Sequence, residues 1–379
     1  MKETESSNVV MSEFVHPMEP ITEKIDSVQS FHSLMLTTFY EFAHRRVHDN
    51  YDFQRFSIIG EDRSKTFATQ THVSALHWYF SSFIKLYESW EKLSNASSKA
   101  LFFELILYRL LGHLHVRIHS KPLTLKEKVE AAKEKLNGQA SEIEIQGMFG
   151  QLYDYDTVWN GQRYKATLSQ DSLAWNLVKR QYFHRENGAV VEPSPGDHVI
   201  DGGACLGDTA VVFSHAVGET GRVYSFEPNK VNLKVLEINV SQHVLKNIKV
   251  FPTGLSNEKI VADPVTVKDS CDFGFSINQA DRSGQQCPQE RIDDLVSSGE
   301  LERVDFIKMD IEGAELEALK GGVETLQKYR PKLAISLYHK LNDFFEIINF
   351  LSENCPFYRF YINHYTIHTE ETVLYAISE

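Results

Sequence analysis

From Asp197 onward the chain alternates short apolar strands with helix-length segments, and this alternation constrains its fold more than any other feature. Val199–Ile200 reads as a buried strand, Asp208–Ala216 as a helix, Val223–Phe226 as a second strand, Asn229–Val240 as a helix and Ile248–Phe251 as a third strand. After a polar stretch, about Ser256–Gln289, come a fourth strand at Val304–Met309, a helix from about Ala314 to Tyr329 and a fifth strand at Leu333–Leu337. Strands joined by helices must run parallel, because each crossover returns the chain to the same edge, and the helices then cover both faces. The pattern predicts an α/β, doubly wound sheet. Tyr358–Ile362 and Thr372–Ala376 lack an intervening helix and predict an antiparallel pair at its edge.

The N-terminal half reads differently. Residues 1–30 are polar with Pro17 and Pro20 and are expected to form a loose arm. Residues 31–150 carry helical spacing, with Leu76, Phe80, Phe83, Ile84 and Tyr87 in one run and Leu101, Leu105, Tyr108 and Leu111 in another. Gly112 suits a helix end, and Thr124 with Glu127 predicts a capping box for a helix that stops at Asn137–Gly138. Residues 151–194 predict a β-hairpin turning at Asn160–Gly161, then a helix from about Asp171 to Phe183. Pro193, Pro195 and Gly196 mark the boundary of a final domain at 195–379.

Composition narrows the setting. A net charge of −13 without a dense Lys/Arg run argues against a nucleic-acid partner. No apolar stretch is long enough to span a bilayer and Met1–Val10 lacks the look of a signal peptide, so a cytoplasmic protein is expected. The four cysteines, Cys205, Cys271, Cys287 and Cys355, show no zinc spacing and read as reduced thiols. His113, His115 and His119 lie close in sequence with no acid at metal spacing, and read as structural.

Ligands of doubly wound sheets bind beyond the carboxyl ends of the strands. The first strand ends in Asp201-Gly202-Gly203-Ala204-Cys205-Leu206-Gly207-Asp208-Thr209, a glycine turn feeding a helix N-terminus. The second ends in Phe226-Glu227-Pro228, where a carboxylate can accept both hydroxyls of a ribose, with Asn229 beside it. Together they predict an adenosine ligand. A dinucleotide fingerprint wants a glycine where Cys205 stands, which favours S-adenosyl-L-methionine, a ligand without a pyrophosphate, over NAD. The fourth strand ends in Lys308-Met309-Asp310-Ile311-Glu312-Gly313-Ala314-Glu315, crowding carboxylates at the mouth of an apolar sheet. The fifth ends in Tyr338-His339-Lys340, which places a histidine beside them.

The blocks DGGACLGDT, VYSFEP, VDFIKMDIEGAELEALKG, PKLAISLYHK and ETVLYA, in this order, resemble the FkbM-type family of S-adenosylmethionine-dependent methyltransferases over about Asp197–Ser378. The resemblance implies a class I methyltransferase, Rossmann-like fold with a seven-stranded sheet. It also implies O-methylation, often of a hydroxyl on a sugar, a lipopolysaccharide component or a polyketide. By the same resemblance Asp201, Gly203 and Glu227 match cofactor motifs, and Asp310 and Glu312 match the motif next to the transferred methyl.

The expected site follows. Asp201, Gly202, Gly203, Ala204, Gly207, Asp208, Thr209, Glu227, Asn229 and Asp310 are the candidate cofactor residues, with Glu227 on the ribose and the Gly202–Gly203 turn against the methionine part. His339 or Asp310 is the candidate base for an acceptor hydroxyl, with Glu312 and Lys308 orienting it. Two carboxylates, Asp310 and Glu312, make a thin metal site, so none is expected. The expected partner is a hydroxylated small molecule or glycan. The helical N-terminal part, with the hairpin around Asn160, is expected to form a partner domain or lid over the carboxyl edge, and the helical domain to offer a surface for forming a homo-oligomer. The alternatives are an NAD(P)-dependent oxidoreductase and a catalytically idle binding module. A nucleic-acid amino-methyltransferase is disfavoured, since Asp310-Ile311-Glu312 replaces the Asn/Asp-Pro-Pro-Tyr pattern.

Overall fold

The computed structural model describes residues 15–52, 69–143, 150–186, 188–242, 246–264 and 286–379. Its first half is helical, with α1 (Glu19–Thr22), α2 (Val28–Ala43), α3 (Thr69–Lys92), α4 (Ala96–Leu111) and α5 (Lys126–Leu136). Ser27 and Ser30 form a reciprocal capping box on α2, Asn95 caps α4 through the Ser98 N–H, and Gly112 ends α4 at φ 74°. The capping box predicted at Thr124 does not form. Pro122 starts a 3-10 turn at Lys121–Leu125 that runs straight into α5, so the Thr124 hydroxyl donates back to the Lys121 carbonyl. The helix does end at Asn137, in the left-handed conformation.

A short strand β1 (Gln139–Ala140) joins the hairpin β2 (Leu152–Trp159) and β3 (Gln162–Ser169), which turns at Asn160 (φ 48°) and Gly161 (φ 82°) as the dipeptide predicts. Next come α6 (Gln170–Val178), shorter than expected, and a small antiparallel pair, β4 (His184–Glu186) and β5 (Ala189–Val191). Hairpin and α6 pack behind the first helices of the sheet domain, not over its carboxyl edge.

The sheet domain runs β6 (His198–Gly202), α7 (Asp208–Val217), β7 (Arg222–Phe226), α8 (Lys230–Gln242), β8 (Ile248–Phe251), β9 (Gly254–Leu255), β10 (Gln289–Glu290), α9 (Ile292–Ser297), β11 (Phe306–Met309), α10 (Glu315–Lys320), α11 (Val323–Tyr329), β12 (Lys332–Ser336), α12 (Asp343–Asn354), β13 (Tyr358–His364) and β14 (Thr372–Ser378). Seven strands form one sheet in the order β13-β14-β12-β11-β6-β7-β8. The five from β12 to β8 are parallel, and β14 and β13 close the edge antiparallel. Winding proceeds from β6 to β7 and β8 on one side and resumes at β11 on the other. The switch point, where such sheets open a crevice, therefore lies between the carboxyl ends of β6 and β11.

The single helix expected over Ala314–Tyr329 is two. Gly321 breaks it, because a Cβ there would lie 2.1 Å from the Ser256 carbonyl oxygen, and the Asp293 carboxylate caps α11 by accepting the Thr325 N–H and hydroxyl. Helix α12 is an addition to the predicted elements.

The helices of the first half share one apolar core with a face of the sheet. Phe102 of α4 stacks on Phe344 of α12 at 4.3 Å, and the Ser89 hydroxyl of α3 donates to the Phe345 carbonyl. Edge strand β13 is covered as well: its Phe360 and Ile362 N–H groups donate to Ser94 and Ser98. A covered edge offers no free ladder to another chain. The lid expected over the carboxyl edge is instead a buttress along the sheet's side.

A polar knot lies inside this buttress. Glu104, buried in α4, accepts the backbone N–H of His119 at 2.7 Å and its Nδ1 at 2.7 Å, and lies 3.3 Å from His16 Nε2. Burial alone would raise the Glu104 carboxyl, but the two histidines more than offset it and hold it below its usual range. The acid absent at metal spacing in the sequence thus arrives through the fold, to pair His119.

Candidate active site

The glycine turn after β6 is built by its neighbours. Gly203 has φ 76°, and a Cβ there would lie 1.9 Å from the Asp310 carbonyl oxygen, so no other residue fits. The Gly203 and Ala204 N–H groups both donate to the Phe226 carbonyl, tying the turn to the end of β7. Asp201 is fully buried and accepts the Thr209 hydroxyl at 2.9 Å on each oxygen, joining the end of β6 to the first turn of α7. Gly207 (φ 92°) precedes that helix, and Asp208 accepts from the Asn176 side chain of α6 at 2.9 Å. Burial pushes the Asp208 carboxyl up to about 6. From behind, Asn239 donates to the Leu206 and Thr167 carbonyls, pinning the turn to the hairpin.

Lys308 was expected at the mouth to orient an acceptor. It lies beneath the turn instead, 2% exposed, and Nζ donates to the Gly202 and Gly203 carbonyls at 2.9 and 2.7 Å and stands 3.3 Å from Asp201 Oδ1. Its position within β11, two residues short of Asp310, points the side chain under the neighbouring strand end rather than outward. Asn229 is likewise committed: its side-chain oxygen caps α8 through the Val231 N–H at 2.8 Å.

Glu227 closes the cofactor side of the crevice. It is buried, and Oε1 accepts the Asn229 N–H at 2.8 Å. Burial pushes its carboxyl up to about 7, against the pull of the Asn229 N–H, the Asn232 side chain, the Cys205 N–H and Lys308. A carboxylate has two oxygens with about four lone-pair sites, so it can still accept a further donor, which a ribose hydroxyl would supply.

The carboxylate cluster lies at the end of β11. Asp310 Oδ1 accepts the Tyr338 hydroxyl at 2.8 Å and Oδ2 the Tyr182 hydroxyl at 2.9 Å. Burial favours its neutral form, but His339, Lys308 and the two phenols outweigh that and hold the carboxyl below its usual range. His339 Nε2 stands 3.4 Å from both Asp310 Oδ1 and Glu312 Oε2, and Nδ1 stands 2.9 Å from Glu315 Oε1. Glu315 is fully buried and accepts the Ile311 N–H at 2.8 Å. Burial, reinforced by Asp310 and Glu315, pushes Glu312 up to about 8, although His339 opposes it. Burial would lower His339, yet the three carboxylates carry it up to about 10. A ring that keeps its proton at neutral pH has no lone pair for an acceptor hydroxyl, and its side chain is only 6% exposed. Of the two groups expected as the base, His339 or Asp310, this enclosure favours Asp310. Asp310 and Glu312, about a quarter exposed, are the groups that face the mouth.

The structure thus brings Asp310, Glu312 and His339 together beside the glycine turn, with Asp201, Thr209 and Lys308 supporting it from below. The sequence reading missed Tyr182, which comes from the link after α6, and gave no role to Tyr338 or Glu315. The latter two stand inside motifs already quoted, and only Tyr182 carries no local signal. The polar stretch expected to contact substrate falls largely at 265–285, outside the described residues.

Residues 201–357 match the sequence model of the methyltransferase FkbM domain. Over these residues the chain is similar to FkbM-type methyltransferase domains. The domain supports S-adenosyl-L-methionine as its cofactor. In structure the chain is similar to methyltransferase FkbM from Methylobacillus flagellatus KT, with 18% identity and a TM-score of 0.50 over 79% of this chain. The chain covers 60% of that protein's length, and the likeness is one of fold. It is also similar, at a TM-score of 0.29 and 19% identity, to an S-adenosylmethionine-dependent methyltransferase from Aquifex aeolicus, over 49% of this chain and 84% of that one. No curated protein sequence matches the chain significantly. No described helix is long and apolar enough to cross a membrane.

Proposed function

We propose that the protein transfers a methyl group from S-adenosylmethionine to a hydroxyl of a sugar, glycan or related hydroxylated acceptor. One observation carries this reading: the glycine turn at the end of β6 and the Asp310 cluster at the end of β11 are in direct backbone contact at the switch point. Cofactor side and acceptor side are then one crevice. Glu227 would accept the ribose hydroxyls, and the turn at 201–207 would take the methionine part against its backbone. Asp201, Thr209 and Lys308 act one layer below, as residues that hold the turn.

The sulfonium supplies an already activated methyl group. The protein's work is therefore alignment and exclusion of water. Asp310 is oriented by two phenols and keeps unused lone pairs for an acceptor O–H. As the new O–C bond forms and the S–C bond breaks, the hydroxyl proton passes to the Asp310 carboxylate, which its neighbours hold ionised. The products are a methyl ether and S-adenosylhomocysteine.

The test is label transfer from S-adenosylmethionine to a panel of free sugars, nucleotide sugars, glycans and polyols, with Asp310→Asn as the control. The expected result is transfer to at least one hydroxylated class, lost in the variant. Transfer to amines or thiols alone would reject the O-methylation reading.

A further inference from the structure

The cluster at the end of β11 is more than a row of acids, because a buried imidazole is trapped among them. One oxygen of Asp310, one of Glu315 and a ring nitrogen of His339 lie within 4.8 Å of one another. Donors about 2.1 Å from a shared divalent ion stand up to about 4.2 Å apart, so shifts of well under 1 Å would let all three reach one ion. The side chains are committed to very little else. The His339 side chain is 6% exposed and its nitrogens face carboxylates, Nδ1 at 2.9 Å from Glu315 Oε1 and Nε2 at 3.4 Å from Asp310 Oδ1 and Glu312 Oε2. The second Glu315 oxygen is fully buried and makes no hydrogen bond. A carboxylate oxygen buried without a donor calls for an occupant.

We propose that Asp310, Glu315 and His339 hold a divalent cation, with Glu312 at its open side. Ligating carboxylates in metal sites are themselves hydrogen-bonded from behind, and Asp310 is held in this way by Tyr182 and Tyr338. Glu315 is anchored through its first oxygen by the Ile311 N–H, which leaves the second for the ion. One imidazole with two carboxylates suits Mn²⁺ or Zn²⁺ better than Ca²⁺ or Mg²⁺, which favour all-oxygen shells.

The site stands on these donors alone, whereas its role rests on the methyl-transfer reading. There the ion would take the oxygen of the acceptor hydroxyl and ease loss of its proton, and its charge would hold Glu312 ionised to receive it. The acceptor class narrows to hydroxyls that can reach an ion just beneath the mouth, such as those of a vicinal diol.

The experiment is a calorimetric titration of the chelator-treated full-length protein with MnCl₂ and with ZnCl₂, run beside a titration with S-adenosylhomocysteine. The expected result is saturable binding of one ion per chain, weakened at least about tenfold in His339→Gln and in Asp310→Asn. Glu315→Gln is a third variant, used if it retains the wild-type circular dichroism spectrum. No saturable binding of either ion, or binding unchanged in both His339→Gln and Asp310→Asn, would overturn the site. Metal binding without S-adenosylhomocysteine binding would leave the site standing and remove the methyltransferase reading. The reverse would do the opposite.

Discussion

Glu104 stands between two histidines in the helical half, whereas His339 stands among three carboxylates in the sheet half. The two clusters use the same residue types in opposite proportions. Around Glu104 every carboxylate oxygen has a donor, and the group ties the segment at His16 and the loop at His119 to α4. Around His339 acids outnumber cations and a buried Glu315 oxygen is left without a hydrogen bond. A balanced buried cluster is what a structural joint needs. An unbalanced one is tolerated where a ligand completes it.

Substitutions at the two clusters test this contrast. The largest effect is expected from Asp310→Asn, which should lower turnover by about 10²–10⁴-fold while S-adenosylhomocysteine binding changes little. A fall in cofactor affinity matching the fall in turnover would place Asp310 on the cofactor instead. Glu104→Gln should do the reverse, costing about 3–5 kcal/mol of stability in urea unfolding with cofactor affinity of the folded protein unchanged. Loss of methyl transfer without loss of stability would erase the distinction between the two clusters.

Lys308→Met should be structural too, although it lies in the catalytic domain. It strands the Asp201 carboxylate, 0% exposed, beneath the glycine turn, and should destabilise by about 3 kcal/mol or more. A variant of full stability that is impaired only in acceptor KM would return Lys308 to the mouth.

The smallest expected effect is one of pH. The Glu227 carboxyl is raised to about 7 by burial, above the 4.5 of an unperturbed glutamate. A raised carboxyl weighs against the folded state when ionised. Its cost is absent below about pH 4.5, grows through the window to 7, and reaches about 3 kcal/mol beyond it. A ribose diol favours the ionised form, so binding of S-adenosylhomocysteine near pH 6.5 should release a fraction of a proton. Calorimetry in buffers of different ionisation enthalpy measures this, and Glu227→Gln should abolish it. Proton uptake on binding would contradict the assigned contact.

The two halves also differ in how far the sequence discloses them. The strands of the sheet were legible to within a few residues, because a buried parallel strand is a short apolar run, and glycines or acids mark the carboxyl ends of β6, β7 and β11. The hairpin was legible from Asn160–Gly161, whose left-handed angles few other residues adopt. Helix α12 was less so: Phe344, Phe345 and Phe350 suit strands as well as helices, and no side chain caps its start. The break at Gly321 depends on Ser256, far away in sequence, as the pairing of His119 depends on Glu104.

The site divides along the same line. Glu227, Asp310 and the Gly203 turn were legible because strand ends mark them. The burial of Lys308 and the enclosure of His339 were not, since each is decided by which neighbouring strand end the side chain meets. Tyr182 reaches Asp310 across 128 residues of chain. No periodicity records such a contact.

Everything proposed for the crevice at the switch point turns on its binding S-adenosylmethionine through Glu227. Calorimetric titration of the purified protein with S-adenosylhomocysteine, with NADH as the comparison and Glu227→Ala as the control, tests it most directly. The expected result is binding of the first alone, weakened in the variant by about 1.5–3 kcal/mol. Binding of NADH alone, or of neither, would contradict it.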